Sequence, residues 1–471
     1  MKKIKVAIIG AGTAGLSARR EVAKKTDDYL VFDGGKLGTT CARVGCMPSK
    51  SLIQIANDYK AAKYLKSEGI FNSSDIDLKI ANVLKKVRTL RDRFTNGVIS
   101  DMKKWENKFI NQNVKFSGTN TIETNDQKYF AEKIIIATGS TPKIPKKFEP
   151  YKEYLIDTNN FFELENLSGK IVVIGLGVIG AELGQALYNL DLDVTLVGSE
   201  SKNIGGLTDP TIKEYVSDMY TKNSNAIFSK ADITGTLNNQ LEVKINNEVQ
   251  YFDKAIITIG RVPDLDNLDL AKANIKLNDK GLPDYCDRTF AIKDHNHIFF
   301  VGDVNSQKPL LHEAADQGKI AGFNATADKN TCFIPRTPLI ITFTEPNIAV
   351  AGQTFKSLSD KNIDFVTGSV CFEGQGRSII KNNNQGVLHI YIEKSTGLIL
   401  GAEMQAPDGE HLAHLISWSI ANELTVEKAL NMPFYHPVVE EALRTSLRDA
   451  NSKLESKKDF IDLFRCDDPP V

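Results

Sequence analysis

Residues 4–15 read IKVAIIGAGTAG, and residues 171–180 read IVVIGLGVIG. In each, a short apolar run rich in β-branched residues passes straight into glycines spaced GxGxxG: Gly10, Gly12 and Gly15 in the first, Gly175, Gly177 and Gly180 in the second. Helix-prone stretches follow, LSARREVAKK and AELGQALYNL. Strand, glycine turn and helix in that order let the backbone approach a pyrophosphate, with helix N-terminal amides and a positive dipole end to hold it. One such fingerprint alone is weak, because a glycine-rich turn need not bind anything. Two in one chain, each followed by another strand (Tyr29–Phe32 and Val194–Val197), predict two dinucleotide-binding folds.

The two units end differently. The first closes on Asp33, at about the twenty-residue spacing where a carboxylate meets a ribose hydroxyl pair. The second runs into Gly198-Ser199, with Glu200 two residues late and Lys202 beyond it. A carboxylate that would repel a 2′-phosphate is therefore missing, yet no Arg follows the strand to grip one. The balance favours NAD, with NADP as the alternative.

Between the glycine loops lies Gly38–Lys50, GTTCARVGCMPSK. Cys41 and Cys46 stand five residues apart in it. Five residues of regular helix climb roughly 7.5 Å, whereas a disulfide wants Cα atoms roughly 4.4–6.8 Å apart. A bridge therefore demands an irregular backbone, for which Gly45 supplies freedom and Pro48 denies a helical bond to the Val44 carbonyl. Such a bridge would be small and easily reduced, the profile of a reactive disulfide. Two unpaired buried thiols or half of a zinc site are the bland alternatives, the latter lacking a second cysteine pair to complete it.

The run resembles the redox-active disulfide of the flavoprotein disulfide reductases, the family of dihydrolipoyl dehydrogenase, glutathione reductase and mercuric reductase, whose pattern is close to GGTCxNxGCxPSK. It departs from that pattern at Thr39 and Ala42–Arg43. The resemblance implies an α/β chain with two Rossmann-like dinucleotide-binding domains and a C-terminal α+β dimerisation domain. The expected divisions are 1–150 (FAD, first part), 151–265 (NAD(P)), 266–334 (FAD, return segment) and 335–471 (interface).

Further marks fit that frame. Lys133–Thr138 is a buried strand closed by a turn at Gly139, resembling the family's crossing between domains. Ala255–Ile259 is another, closed by the turn Gly260-Arg261-Val262-Pro263-Asp264, resembling the GRxPN return turn. Ile298–Val301 ends in Gly302-Asp303, where the family's aspartate binds the ribitol of FAD, a role suited to an acceptor of sugar hydroxyls. Leu311–Ala315 opens a helix whose N-terminus would face the flavin pyrimidine, with His312 read as structural. By resemblance, Glu182 pairs with Lys50 beside the flavin; Lys50 follows Cys46 by four residues and shares its helical face. From about Pro335 the chain turns to strands (Leu339–Thr344, Asn347–Ala351, Gly386–Ile392, Gly397–Gln405) and then helices.

That last region holds Phe434-Tyr435-His436-Pro437-Val438-Val439-Glu440-Glu441, resembling HPxxxE. The family's histidine is acid and base toward the substrate thiol, a task that imidazole suits near neutral pH, and the glutamate five residues on orients it. The carry-over makes these His436 and Glu441, with the imidazole serving the cysteines of the other subunit, so a homodimer is expected. It also makes Cys41 the thiol that exchanges with substrate and Cys46 the inner thiolate beside FAD. Val178 is small, as in dihydrolipoyl dehydrogenases, where glutathione reductases carry a gating Tyr, so dihydrolipoamide is the first expectation and a lipoyl-bearing acyltransferase a potential partner. Alternatives are another small disulfide, or an FAD-dependent NAD(P)H oxidase, quinone reductase or transhydrogenase that bypasses the cysteines. The tail 464–471 has one thiol, Cys466, where mercuric and large thioredoxin reductases carry a pair.

The bulk numbers agree. With 471 residues the chain allows about three domains. Its 58 basic and 59 acidic residues leave a formal charge of −1, with no electrostatic footprint for nucleic acid. No apolar stretch is long enough to span a membrane, and the N-terminus reaches a glycine loop too early for a secretory signal. Cys286, Cys332, Cys371 and Cys466 are scattered, so a lone close pair in a reducing compartment, the cytoplasm, points to redox chemistry. Ser51 to about Lys108 reads as a solvated helical pair without chemistry.

Overall fold

The computed structural model describes residues 1–71, 76–454, 463 and 466. The first glycine fingerprint lies where expected, between the strand Lys2–Ile9 and the helix Thr13–Val22. Lys2–Ile9 is the centre of a sheet, parallel to Tyr29–Phe32 on one side and to Lys128–Ile136 on the other, and His295–Phe300 adds in parallel beyond the latter. A strand from the first third of the chain and one from residue 295 onward thus complete one sheet, with the intervening segment folded elsewhere. These strands read as almost continuous β-branched and aromatic runs because helices cover the sheet's faces. Gly318 and Gly322, on the helix Leu311–Asn324, let that helix lie against Ala14 and Ala18: a Cβ at Gly318 would come within 2.2 Å of the Ala14 carbonyl oxygen.

The second unit is an all-parallel five-stranded sheet in the order 226–228, 194–198, 171–174, 254–257, 155–156, with the helix Val178–Asn189 after its glycine loop. Ala231–Leu237, Gln240–Ile245 and Glu248–Phe252 form an antiparallel sheet that sequence reading passed over. Its signal was present: Asn238-Asn239 and Asn246-Asn247 all have positive φ, the conformation that two-residue hairpin turns require and Asn tolerates.

Residues 140–142 and 261–263, inside the stretches 139–142 and 260–264 that read as turns in the sequence, are extended. They are strands, Ser140–Pro142 and Arg261–Pro263, paired antiparallel as a two-stranded ribbon. Two three-residue segments carry no periodicity to read, and each finds its partner about 120 residues away.

The remaining unit is an antiparallel sheet in the order 339–342, 347–352, 399–406, 387–393, 365–371, with the helices Gly409–Ala421 and Glu441–Ser452 packed on it. The edge strand Phe365–Cys371 also escaped sequence reading. The other face of this sheet meets the second unit through a buried polar layer. Glu403, fully buried, accepts from the Thr208, Asp209 and Phe355 amides and the Thr208 hydroxyl. Asp209 caps the helix Pro210–Asn223 with one oxygen and accepts from His389 and Tyr391 with the other. Among the described residues, no helix is long and apolar enough to cross a membrane.

Candidate active site

The cysteine run folds as two helices broken at one residue. Thr40–Val44 is a short helix carrying Cys41; Gly45, at φ −127°, ψ −118°, leaves helical space; Cys46–Ser67 starts immediately after. Pro48 falls in the first turn of the second helix, where a missing N–H is harmless. The break brings the two cysteines, both free thiols, close enough for each to shift the titration of the other. Thr39 stands where the family pattern has glycine, and its φ of +60° is the region β-branched residues avoid. Its hydroxyl accepts from the Ala42 amide at 3.2 Å, capping the Cys41 helix.

The two sulfurs are not equivalent. The hydrogen bond from the Cys41 thiol, aided by the Lys50 ammonium, outweighs burial and holds Cys46 down at about 7. The same hydrogen bond, together with burial and the neighbouring charge, pushes Cys41 well up. These opposite shifts favour a thiolate at Cys46 over one at Cys41.

Lys50, one helical turn past Cys46, reaches Glu182 at 2.8 and 2.7 Å. Glu182 is 4% exposed, on the helix that follows the second glycine loop. Sequence reading missed the group that fixes this pair. The Phe343 amide donates to Glu182 Oε1 at 2.9 Å, and its ring lies 4.6 Å from Lys50 Nζ. Two residues on, Glu345 and Gln185 exchange backbone-to-amide bonds at 2.7 and 3.1 Å. One segment of the third unit therefore clamps helices from the other two. Only an aromatic residue just past the strand Leu339–Thr342 marked it beforehand.

Both glycine loops are shaped as cradles. A Cβ at Gly10 would lie 2.3 Å from the Ala137 oxygen, and one at Gly15 lies 1.9 Å from the Gly10 oxygen, so these glycines permit backbone approach. Gly12, between them, faces open space. The second loop repeats this, with Gly175 and Gly180 closed in and Gly177 open. Asp33 accepts from the Ala11 amide at 2.7 Å and the Gly35 amide at 2.8 Å, so it also braces the first loop. Gly139 and Gly260 flank the ribbon, their carbonyls accepting from the Asp264 and Lys143 amides. Arg261 donates to the Ser140 hydroxyl at 2.8 Å and carbonyl at 2.6 Å, and Ser140 donates to Asp303 at 3.3 Å. Burial pushes the Asp303 carboxyl up, against the pull of Arg261 and Ser140. His312 is exposed.

His436 is exposed on the third unit, its Nδ1 3.2 and 3.1 Å from the two oxygens of Glu441. The imidazole leads what holds Glu441 below the usual carboxylate range. Nε2 is left for another group. An apolar groove of about 310 Å³ adjoins it, lined by Leu415, Phe434 and Tyr435 among others, and Trp418 nearby on the same helix as Leu415 is 66% exposed. Cys466 is exposed; the rest of 464–471 lies outside the described residues.

Comparison with known families matches residues 4–318 to the pyridine nucleotide-disulphide oxidoreductase model. The chain belongs to this family. Residues 339–447 match the dimerisation domain of the pyridine nucleotide-disulphide oxidoreductases. The dihydrolipoyl dehydrogenase of Mycoplasma genitalium is 29% identical over 454 residues, covering 92% of this chain and 95% of its own. That of Bacillus subtilis is 26% identical over 444 residues, covering 92% and 93%. Two solved structures share the fold. LpdA from Mycobacterium tuberculosis superposes with a TM-score of 0.81 at 20% identity, covering 95% of this chain and 99% of its own. The Cu(II) complex of the HOCl-induced flavoprotein disulfide reductase RclA from Escherichia coli does so with a TM-score of 0.81 at 19%, covering 97% and 100%.

As a pyridine nucleotide-disulphide oxidoreductase, the chain is a flavoprotein oxidoreductase that uses FAD and NAD(P). Its residues fit both groups, since each glycine loop leaves open space at its middle glycine beside a helix N-terminus, and Asp303 and Asp33 offer acceptors for sugar hydroxyls.

Proposed function

We propose that this chain oxidises a small dithiol, dihydrolipoamide, with NAD(P) as electron acceptor, through FAD and a reversible Cys41–Cys46 disulfide. The observation that carries this reading is the pair of thiols brought together across Gly45, with Lys50 one helical turn past Cys46 and paired with Glu182 of another helix. When bound, FAD supplies two-electron exchange between the cysteine pair and the nicotinamide. Gly10, Gly12, Gly15, Asp33, Gly139, Arg261 and Asp303 would hold or frame the FAD site, and Gly175, Gly177, Gly180 and Gly260 the NAD(P) site and its hinge.

His436 of the partner subunit, oriented by its Glu441, takes a proton from one substrate thiol. The resulting thiolate attacks Cys41 Sγ, forming a mixed disulfide and releasing Cys46 as thiolate. The second substrate thiol then displaces Cys41, closing the substrate disulfide. Two electrons and one substrate proton reside on the cysteine pair, and His436 holds the other proton. Lys50 favours the Cys46 thiolate, and Glu182 keeps Lys50 in place.

The homodimer belongs to this reading because His436 and the groove beside it face outward on the third unit. The divisions 1–150, 151–265, 266–334 and 335–471, a cytoplasmic setting, and delivery of the lipoyl arm by an acyltransferase belong to the same proposal. Steady-state rates test it, with NAD or NADP as acceptor for dihydrolipoamide and with glutathione disulfide in the reverse direction. Turnover with dihydrolipoamide supports the reading; turnover with glutathione disulfide alone replaces the substrate.

A further inference from the structure

The strand Val194–Gly198 ends at the carboxyl edge of the second sheet, where a nucleotide's adenosine ribose is recognised in such folds. Selection of NAD there rests on a carboxylate that takes the ribose hydroxyls, and selection of NADP on a cation that takes the 2′-phosphate. Here the last strand residue is Gly198, paired in register with Phe228 of the neighbouring strand. A Cβ at Gly198 would lie 2.7 Å from both Cδ1 and Cε1 of the Phe228 ring and 3.1 Å from a Leu176 methyl. The space an acidic side chain would leave from is thus filled by Phe228. Glu200, two residues later, is exposed in the following turn.

The cation is compromised as well. The turn closes through the Lys202 amide on the Ser199 carbonyl at 2.9 Å, and the Ser199 and Ser201 hydroxyls lie 2.9 Å apart. Lys202 Nζ is 2.7 Å from Glu214 on the helix Pro210–Asn223. A 2′-phosphate arriving at this turn would meet two hydroxyls and a lysine that already has an exposed carboxylate partner. Lys230 is the next cation along this edge, exposed, just beyond Ser229, whose amide donates to the Gly198 carbonyl at 3.0 Å.

We infer that the nicotinamide coenzyme site does not discriminate between NAD and NADP: Phe228 over Gly198 excludes the carboxylate that selects the first, and Glu214 occupies the lysine that selects the second. This deepens the reading of the second glycine loop as the coenzyme site and rests on it. Equilibrium binding of NAD+ and NADP+ to the FAD-loaded protein, by calorimetry at one low ionic strength, tests it without relying on turnover. The expected dissociation constants lie within about tenfold of each other. Glu214→Gln frees Lys202, and because the pair is exposed its effect is modest, moving the ratio about threefold toward NADP. Gly198→Glu combined with Phe228→Ala moves it about tenfold toward NAD, and the double variant is used because a Cβ at position 198 would force the Phe228 ring to shift. A wild-type preference beyond tenfold either way, or a Glu214→Gln ratio equal to wild type, overturns the inference. If neither nucleotide binds, the coenzyme-site reading itself fails.

Discussion

Lys50 and Glu182 stand 132 positions apart in the chain, and their charged atoms stand 2.7 Å apart in space. The lysine belongs to the helix that begins at Cys46 and the glutamate to the helix that follows the second glycine loop. The pair therefore joins the sulfur centre to the coenzyme-binding unit, and Phe343 of the third unit holds it from the side.

Glu182→Ala leaves the Phe343 amide without its acceptor and Lys50 without its counter-charge. Lys50 is a third exposed, so water softens the loss, and a destabilisation of about 1–3 kcal/mol is expected by urea unfolding. Unchanged stability would show that the pair closes only on the surface.

The ordering of the two thiols gives a pH signature. The Cys46 pKa of about 7 lies below its ordinary value, so its thiolate fraction rises as pH passes through about 7. Mass-mapped alkylation of the reduced protein should follow that curve at Cys46. Lys50→Met removes a charge that favours the thiolate, so the curve moves to higher pH. A midpoint near 9.0, the ordinary thiol value, in the unmodified protein would contradict the geometry.

Glu441 holds His436 at Nδ1, which fixes the tautomer with a proton on Nδ1 and leaves Nε2 as the acceptor nitrogen. Glu441→Ala is expected to lower kcat by about 10–100-fold with little change in unfolding midpoint. Glu441→Gln, which retains an acceptor, recovers part of the loss. Equal kcat in all three would remove the pair from the mechanism.

The buried layer between the second and third units predicts a purely structural effect. Glu403→Ala strips the acceptor from three backbone amides and one hydroxyl, and a loss of about 3–5 kcal/mol is expected. Burial pushes Asp209 up, but hydrogen bonds led by that from His389 outweigh it and leave the carboxyl below its ordinary value of 3.8. A depressed carboxylate contributes stability above its unfolded pKa and loses it as pH falls through the folded one. Asp209→Asn should therefore narrow the stability gap to wild type below about pH 4; a gap independent of pH would contradict the assignment.

The parts of the chain that sequence reading reached are those with local signals. The glycine fingerprints, the strands beside them and the Lys50–Glu182 pair were reachable from spacing and family pattern, because each is fixed by its own backbone or by a motif. The parts it missed depend on distant partners. Ser140–Pro142 is a strand only because Arg261–Pro263 lies against it. Phe343 matters only because the third unit is docked on Glu182. Glu403 reads as a solvated strand residue until Thr208 and Asp209 are placed over it. The Asn-Asn turns of the 231–252 sheet are the exception, since their local chemistry was readable.

Cys46→Ser shows whether electrons pass through the Cys41–Cys46 bond. Dithiol-dependent reduction of NAD(P) should fall by at least about a thousandfold, while bound FAD and NAD(P)H oxidation with an artificial one-electron acceptor persist. Dithiol turnover that survives in the variant at a rate comparable to wild type would show that electrons bypass the disulfide.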